Sequence, residues 1–181
     1  MSRNTVILVD ESDNFIGISK KLDAHLTGAL HSAFSVFVFR RQGGRLELLL
    51  QKRSKRKYHC GGLWSNSCCS HPELGEELSD SARSRLREEM GFSVPLRWVG
   101  SHTYRAEVGN NLIEHEFDHI FVGWHGGEDV VLNPEEAEAF RWIETEELKG
   151  RMRQSPEKYT PWFAGTLEKA MATPDLQEIS T

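Results

Sequence analysis

The run Glu114-His115-Glu116 constrains this chain more than any other feature, because it lies in a β-branched and aromatic stretch, residues 112–124, that reads as a strand. Successive side chains of a strand point to opposite faces, so Glu114 and Glu116 share one face and His115 takes the other. Two carboxylates held a few ångströms apart raise one another's pKa; they must share a proton, bind a cation, or do both. Whatever fold the chain adopts has to answer that face. A second run, Cys69-Ser70-His71, supplies a thiol and an imidazole. If Cys69 faces the carboxylates across a pocket, an acid and a base flank whatever lies between.

With 181 residues the chain fits one domain, long enough to bury about 70% of its unfolded surface without staples. The net charge of −5 argues against a nucleic-acid partner, whose phosphates call for a basic surplus. Three cysteines, Cys60, Cys68 and Cys69, are odd in number with two adjacent, which makes a poor disulfide framework and suits a reducing compartment; a cytoplasmic location is expected. Residues 1–10 carry one basic residue and too short an apolar run for a signal peptide, and no run approaches the roughly 18 residues of a membrane span. A soluble monomer without a membrane partner is expected.

Strand and helix patterns interleave along the chain. Residues 6–9 read as a strand closed by a turn at 10–14, residues 33–40 and 46–53 as a hairpin around Gly43-Gly44, and residues 98–106, 112–124 and 140–143 as further strands. Residues 54–75 keep neither period and read as a long polar loop, which in a compact domain is more often functional than idle. Residues 76–90 place Leu78, Ala82, Leu86 and Met90 four apart with Gly91 as a stop, an amphipathic helix. Thr145 is the expected cap of a helix at 146–153, and a last helix is expected at 161–172, followed by a frayed terminus.

The helix at 76–90 is similar to the box of the Nudix superfamily. Aligned on Gly91, it keeps Glu76, Leu86, Glu88 and Glu89 but has Ser70 for the first glycine, Ser84 for the arginine and Arg85 for the first helical glutamate. Nudix hydrolases use those helical carboxylates to hold divalent ions that activate water, so the exchange of a carboxylate for a cation puts hydrolysis in doubt. Arg85 and Glu89 are four apart, and spacing alone reads them as a solvated ion pair of about 0.3–0.5 kcal/mol.

Six segments change that reading: His25 with His31, SNSCCSHP at 65–72, the degenerate box, Tyr104-Arg105-Ala106, Glu114-His115-Glu116 and Thr160-Pro161-Trp162. In this order and spacing the chain resembles the type I isopentenyl-diphosphate isomerases, from about residue 20 to 162. The resemblance implies an α+β fold, a Nudix-type α/β/α sandwich with a mixed sheet, as one domain with its core at about 20–172. It implies that His25, His31, His71, Glu114 and Glu116 ligate one divalent ion, manganese, zinc or magnesium, a donor set suited to such ions. It further implies that Cys69 and Glu116 are catalytic, with Tyr104 bonding the carboxylate and Trp162 facing the carbocation. Lys21, Arg53, Lys57 and Arg85 match the residues that hold the diphosphate, and Glu89 the ligand of a magnesium ion bound with it. Lys52, Lys55 and Arg56 are expected in solvent. By themselves the residues would put His25 in a surface loop. His59, His102, His115, His119 and His125 match no functional position and are expected to be exposed or hydrogen-bonded, and Cys60 is given no role.

The implied reaction interconverts isopentenyl and dimethylallyl diphosphates, a small isoprenoid diphosphate being the partner. A thiol with a pKa near 8.5 can exchange a proton near neutrality. Trp64 and Phe34 are expected to wall the pocket against water, and residues 163–167 to pack near it. A Nudix pyrophosphohydrolase and a non-catalytic Nudix-like binding module are the alternatives. Phosphate release would mark the first, and metal that only staples the fold the second.

Overall fold

A computed structural model describes residues 4–177; of the terminus expected to fray after residue 172, residues 178–181 lie outside them, while Pro174–Gln177 form a short helix instead. β1 (Thr5–Val9) and β2 (Phe15–Lys20) form an antiparallel hairpin, turned where Asp10 Oδ1 accepts the backbone N–H groups of Ser12 and Asn14. α1 (Lys21–Thr27) follows at once and stops at Gly28, which is left-handed. β3 (His31–Gln42) and β4 (Arg45–Arg53) make the expected hairpin around Gly43-Gly44. Then come the short β5 (Trp64–Ser65) and β6 (Cys68–Ser70), α2 (Leu78–Met90), β7 (Leu96–Glu107), β8 (Ile113–Trp124), β9 (Ala137–Glu144), α3 (Thr145–Gln154), α4 (Phe163–Met171) and α5 (Pro174–Gln177).

Among the described residues the strands form one mixed sheet. β3 pairs with β8 in parallel and with β4 and β6 antiparallel, while β7 extends the sheet beyond β8 and β9 beyond β4. β3 is buried on both faces, and its alternation divides the core. Phe34, Val36 and Val38 pack with Ala82, Leu86 and Met90 of α2; Phe37 and Phe39 pack with Ile120, Val122, Leu148 of α3 and Phe163 of α4. Helices therefore cover both faces, giving an α/β/α sandwich. Because β3 and β8 are parallel, their first residues lie together, with His31 opposite Glu116. The face that is apolar at Phe37 and Ile120 turns polar toward those first residues.

Several local expectations are corrected. Residues 54–75 are not a structureless loop, since β5 and β6 lie inside them; pieces of two and three residues are too short to show a period. β2 and α1 carried no sequence signal, α1 being only seven residues long. Glu144, not Thr145, caps α3, its carboxylate accepting the N–H groups of Glu146 and Glu147. Phe163 and Leu167 belong to the core between sheet and α4, not to the pocket.

α2 ends where sequence placed its stop, on Gly91 with φ 82°. A Cβ there would lie 2.5 Å from the carbonyl oxygen of Val131, whereas Gly44, also left-handed, has nothing within 4 Å. Gly91→Ala should therefore cost more than about 1 kcal/mol and more than Gly44→Ala, which suffers backbone strain alone. Urea unfolding of the two variants checks this, and equal losses would contradict the close approach.

Candidate active site and metal centre

His25 sits in the last turn of α1 with its ring wholly buried, and β3 begins on His31, also buried. His71 follows β6, and Glu114 and Glu116 stand on the same face of β8. One donor atom from each of His25, His31, His71 and Glu114 lies within 4.8 Å of the others, so these four could hold a metal ion. Glu116 borders the group, its Oε1 2.9 Å from His71 Nε2 and 3.7 Å from His31 Nε2.

The donor atoms point to a cation. His25 Nε2 and His31 Nε2 lie 3.2 and 3.9 Å from Glu114 Oε2, yet all three atoms are buried without a hydrogen-bond partner. They converge without being aligned on one another, an arrangement that costs free energy unless something between them satisfies the lone pairs. His31 Nδ1 lies 2.9 Å from the carbonyl of Ala29, which can only accept, so Nδ1 donates and a neutral His31 keeps its lone pair on Nε2. Three imidazoles and a carboxylate suit a divalent ion of borderline softness.

Glu116 is fixed from β7 by Tyr104, whose hydroxyl donates to Oε2 at 2.5 Å. Burial opposes charge on Glu116, but the neighbouring His31 imidazole and the bond from Tyr104 prevail and bring its carboxyl down to about 2; Glu114, opposed by burial and by Glu116 and favoured by His25 and His59, also falls to about 2. Cys69 goes the other way. Burial pushes its thiol up to about 12, only partly offset by the Arg53 guanidinium 3.7 Å from Sγ. The expectation of a thiol titrating near neutrality is thereby corrected: Cys69 holds its proton. Its neighbour Cys68 packs on the opposite face, under α2.

Cys69, Glu114, Glu116, His71 and Trp162 line one cavity of about 70 Å³, with Lys21, Arg53, Lys57 and Arg85 around it. Trp162 is buried 6.2 Å from the Tyr104 ring, and the Arg53 guanidinium lies 5.4 Å from its centroid. Phe34 and Trp64 do not line this cavity; each belongs to a core layer of the sandwich. The Arg85–Glu89 pair is not solvated. Arg85 is buried, with Nη2 2.6 Å from Glu89 and 3.2 Å from Glu136, and Glu136 also pairs with Lys57. The other oxygen of Glu89 accepts from Gln51 at 2.9 Å, so Glu89 stands apart from the four-residue group. Burial lowers the Lys21 ammonium, Glu114 opposing. Lys55 and Arg56 are exposed as expected, Arg56 pairing with Glu135 at the surface, whereas Lys52 is half-buried and pairs with Glu138.

Sequence reasoning passed over three residues. His59 is buried with Nε2 2.8 Å from Glu114 Oε1, and Tyr58 Oη is 2.6 Å from His25 Nδ1. Asp118 is buried beyond Glu116, accepting from Ser35 at 2.7 Å. The alternation that paired Glu114 with Glu116 continues to Asp118 and could have found it; for Tyr58 and His59 the only signal was the unpatterned loop that carries them.

The NUDIX domain family matches residues 29–163. An isopentenyl-diphosphate Delta-isomerase 2 of Aromatoleum aromaticum is 50% identical over 167 residues, covering 92% of this chain and 86% of that one. An isopentenyl-diphosphate Delta-isomerase of Serratia proteamaculans is 50% identical over 158 residues, covering 87% and 86%. The chain belongs to the isopentenyl-diphosphate Delta-isomerase family. As the family's Nudix domain requires, solved structures agree in fold at low identity. DR0079 of Deinococcus radiodurans superimposes with a TM-score of 0.66 at 19% identity, over 83% of this chain and 89% of that one. A MutT protein of Methanosarcina mazei Go1 gives 0.62 at 18%, over 77% and 91%.

In this member of the isomerase family His71→Ala should lower the divalent metal bound per chain, measured by elemental analysis, whereas His115→Ala should not. His115 lies on the other face of β8, with Nδ1 2.9 Å from the carbonyl of Gly28. Unchanged metal in His71→Ala would remove His71 from the ligand set.

Proposed function

We propose that this chain interconverts isopentenyl and dimethylallyl diphosphates, Cys69 donating a proton to one carbon of the alkene and Glu116 removing one from another. The observation that carries the reading is geometric: Cys69, beside the Arg53 guanidinium, and Glu116, held by Tyr104, line one cavity together; burial, which favours the protonated thiol, and the partners that favour the Glu116 carboxylate agree with it. Addition of the thiol proton to the terminal alkene carbon leaves a tertiary carbocation. Loss of a proton from the carbon on its other side, taken up by Glu116, completes the allylic isomer. Arg53, 3.7 Å from Sγ, stabilises the thiolate left on Cys69, and Tyr104 holds Glu116 in place for the second transfer. Cys69 then regains a proton from water and Glu116 releases one to it, which restores both groups.

His25, His31, His71 and Glu114, with Glu116 beside them, would hold one divalent ion, manganese, zinc or magnesium. Bound there, it would supply positive charge that governs how readily Glu116 exchanges its proton. Lys21, Arg53, Lys57 and Arg85 would bind the diphosphate, and Glu89 would serve a magnesium ion carried with it. In the free protein Glu136 takes the place of such an anion against Lys57 and Arg85. Remote diphosphate binding positions the five-carbon unit. Trp162 offers a face to the carbocation worth about 2 kcal/mol when desolvated, against the 8–23 kcal/mol that enzymes typically supply. Most of the barrier must therefore fall by positioning and proton transfer. A cytoplasmic, monomeric protein completes the reading.

Incubation with isopentenyl diphosphate and magnesium in heavy water should give dimethylallyl diphosphate carrying deuterium, abolished in Cys69→Ala and largely retained in Cys68→Ala. Phosphate release without allylic product would select the hydrolase alternative. Equal losses in the two cysteine variants would displace Cys69 as the acid.

A further inference from the structure

Tyr58 and His59 are neighbours on the loop after β4, yet each reaches a different member of the four-residue group. Tyr58 Oη lies 2.6 Å from Nδ1 of His25 on α1, and His59 Nε2 lies 2.8 Å from Oε1 of Glu114 on β8. The contacts fall on the atoms that face away from the point of convergence. His59 occupies Oε1 of Glu114 and leaves Oε2, the oxygen without a partner nearest His25 and His31. For His25 to offer a lone pair on Nε2, Nδ1 must carry the proton, and the Tyr58 oxygen is placed to accept it. His59 uses Nε2 as a donor, so its lone pair is on Nδ1, an atom buried with no hydrogen-bond partner.

The loop is itself held. Arg53 Nη2 donates to the His59 carbonyl at 3.4 Å, the N–H of Gly62 donates to the Arg53 carbonyl at 2.9 Å, and a Cβ at Gly61 would come within 3.1 Å of the carbonyls of Ser54 and Lys55. Such a frame can hold two side chains in fixed directions.

We propose that Tyr58 and His59 are positioning residues of a divalent-ion centre, fixing which nitrogen of His25 and which oxygen of Glu114 are turned toward the ion. This rests on the ion-dependent reading above. Hydrogen bonds to the far side of metal ligands fix tautomer and orientation, and their loss typically weakens metal binding 10- to 100-fold. Neither residue needs to touch substrate for this.

The test is manganese affinity of the purified full chain, measured by competition with a fluorescent chelator, for wild type, His59→Ala, His59→Gln and Tyr58→Phe. His59→Ala should bind manganese about 10- to 100-fold more weakly. His59→Gln should recover most of that loss, because the glutamine amide nitrogen reaches the position of Nε2 and donates from there. Tyr58→Phe keeps the ring and removes one hydroxyl, so it should fold even if His59→Ala does not, and it should bind several-fold more weakly. Wild-type affinity in both His59→Ala and Tyr58→Phe would overturn the proposal while leaving the ion site standing. His59→Gln as weak as His59→Ala, with circular dichroism unchanged, would also overturn it, since donation from Nε2 would not be what matters. Absence of manganese binding by the wild type would overturn both this proposal and the ion-dependent reading.

Discussion

Glu114 and Glu116 are two carboxylates sunk into one face of a central strand, and the arrangement around them follows from that burial. Taking a carboxylate out of water costs several kcal/mol unless partners replace the lost hydration. Here partners arrive from separate parts of the chain: His25 from α1, His31 from the start of β3, His59 from the loop after β4, His71 after β6 and Tyr104 from β7. The parallel pairing of β3 with β8 makes this convergence possible, because it brings His31 level with Glu116. Even so, three donor atoms at the centre remain without hydrogen bonds.

The same burial sorts the proton-carrying groups. Partners specific to the charged form keep Glu114 and Glu116 ionised, whereas Cys69, with only Arg53 to favour its thiolate, stays protonated. A thiol and a carboxylate so different in proton affinity line one cavity of about 70 Å³. Arg85 of α2 is locked among Glu88, Glu89 and Glu136 and lines the same cavity.

β3, β7 and β8 were legible from long β-branched and aromatic runs bounded by turn residues, β4 from the apolar run that resumes after Gly43-Gly44, and α2 with its stop at Gly91 from a four-residue period that repeats several times. β5, β6 and α1 were not, since two, three and seven residues are too few to show a period and their geometry comes from pairing with β4, β3 and β8. The shared face of Glu114 and Glu116 could be read from alternation alone. His25 could not, because a histidine on a short helix looks like a surface residue until β8 is packed over it. His59 and Tyr58 were missed because their role lies in which atoms they reach across the site. Phe34 was misplaced by one face of β3, the side on which Cys68 and α2 also lie.

If the unpartnered donors around Glu114 are built for a cation, that cation must stabilise the folded chain. The most direct measurement is the thermal unfolding midpoint with manganese, with zinc and with a chelator. Binding at 100 times the dissociation constant adds about 2.7 kcal/mol, which for a domain of this size raises the midpoint by about 5–10 °C, and Glu114→Gln should lose most of that rise. Midpoints that are the same with ion and with chelator would contradict the account, and the carboxylates of β8 would then have to be explained by the histidines alone.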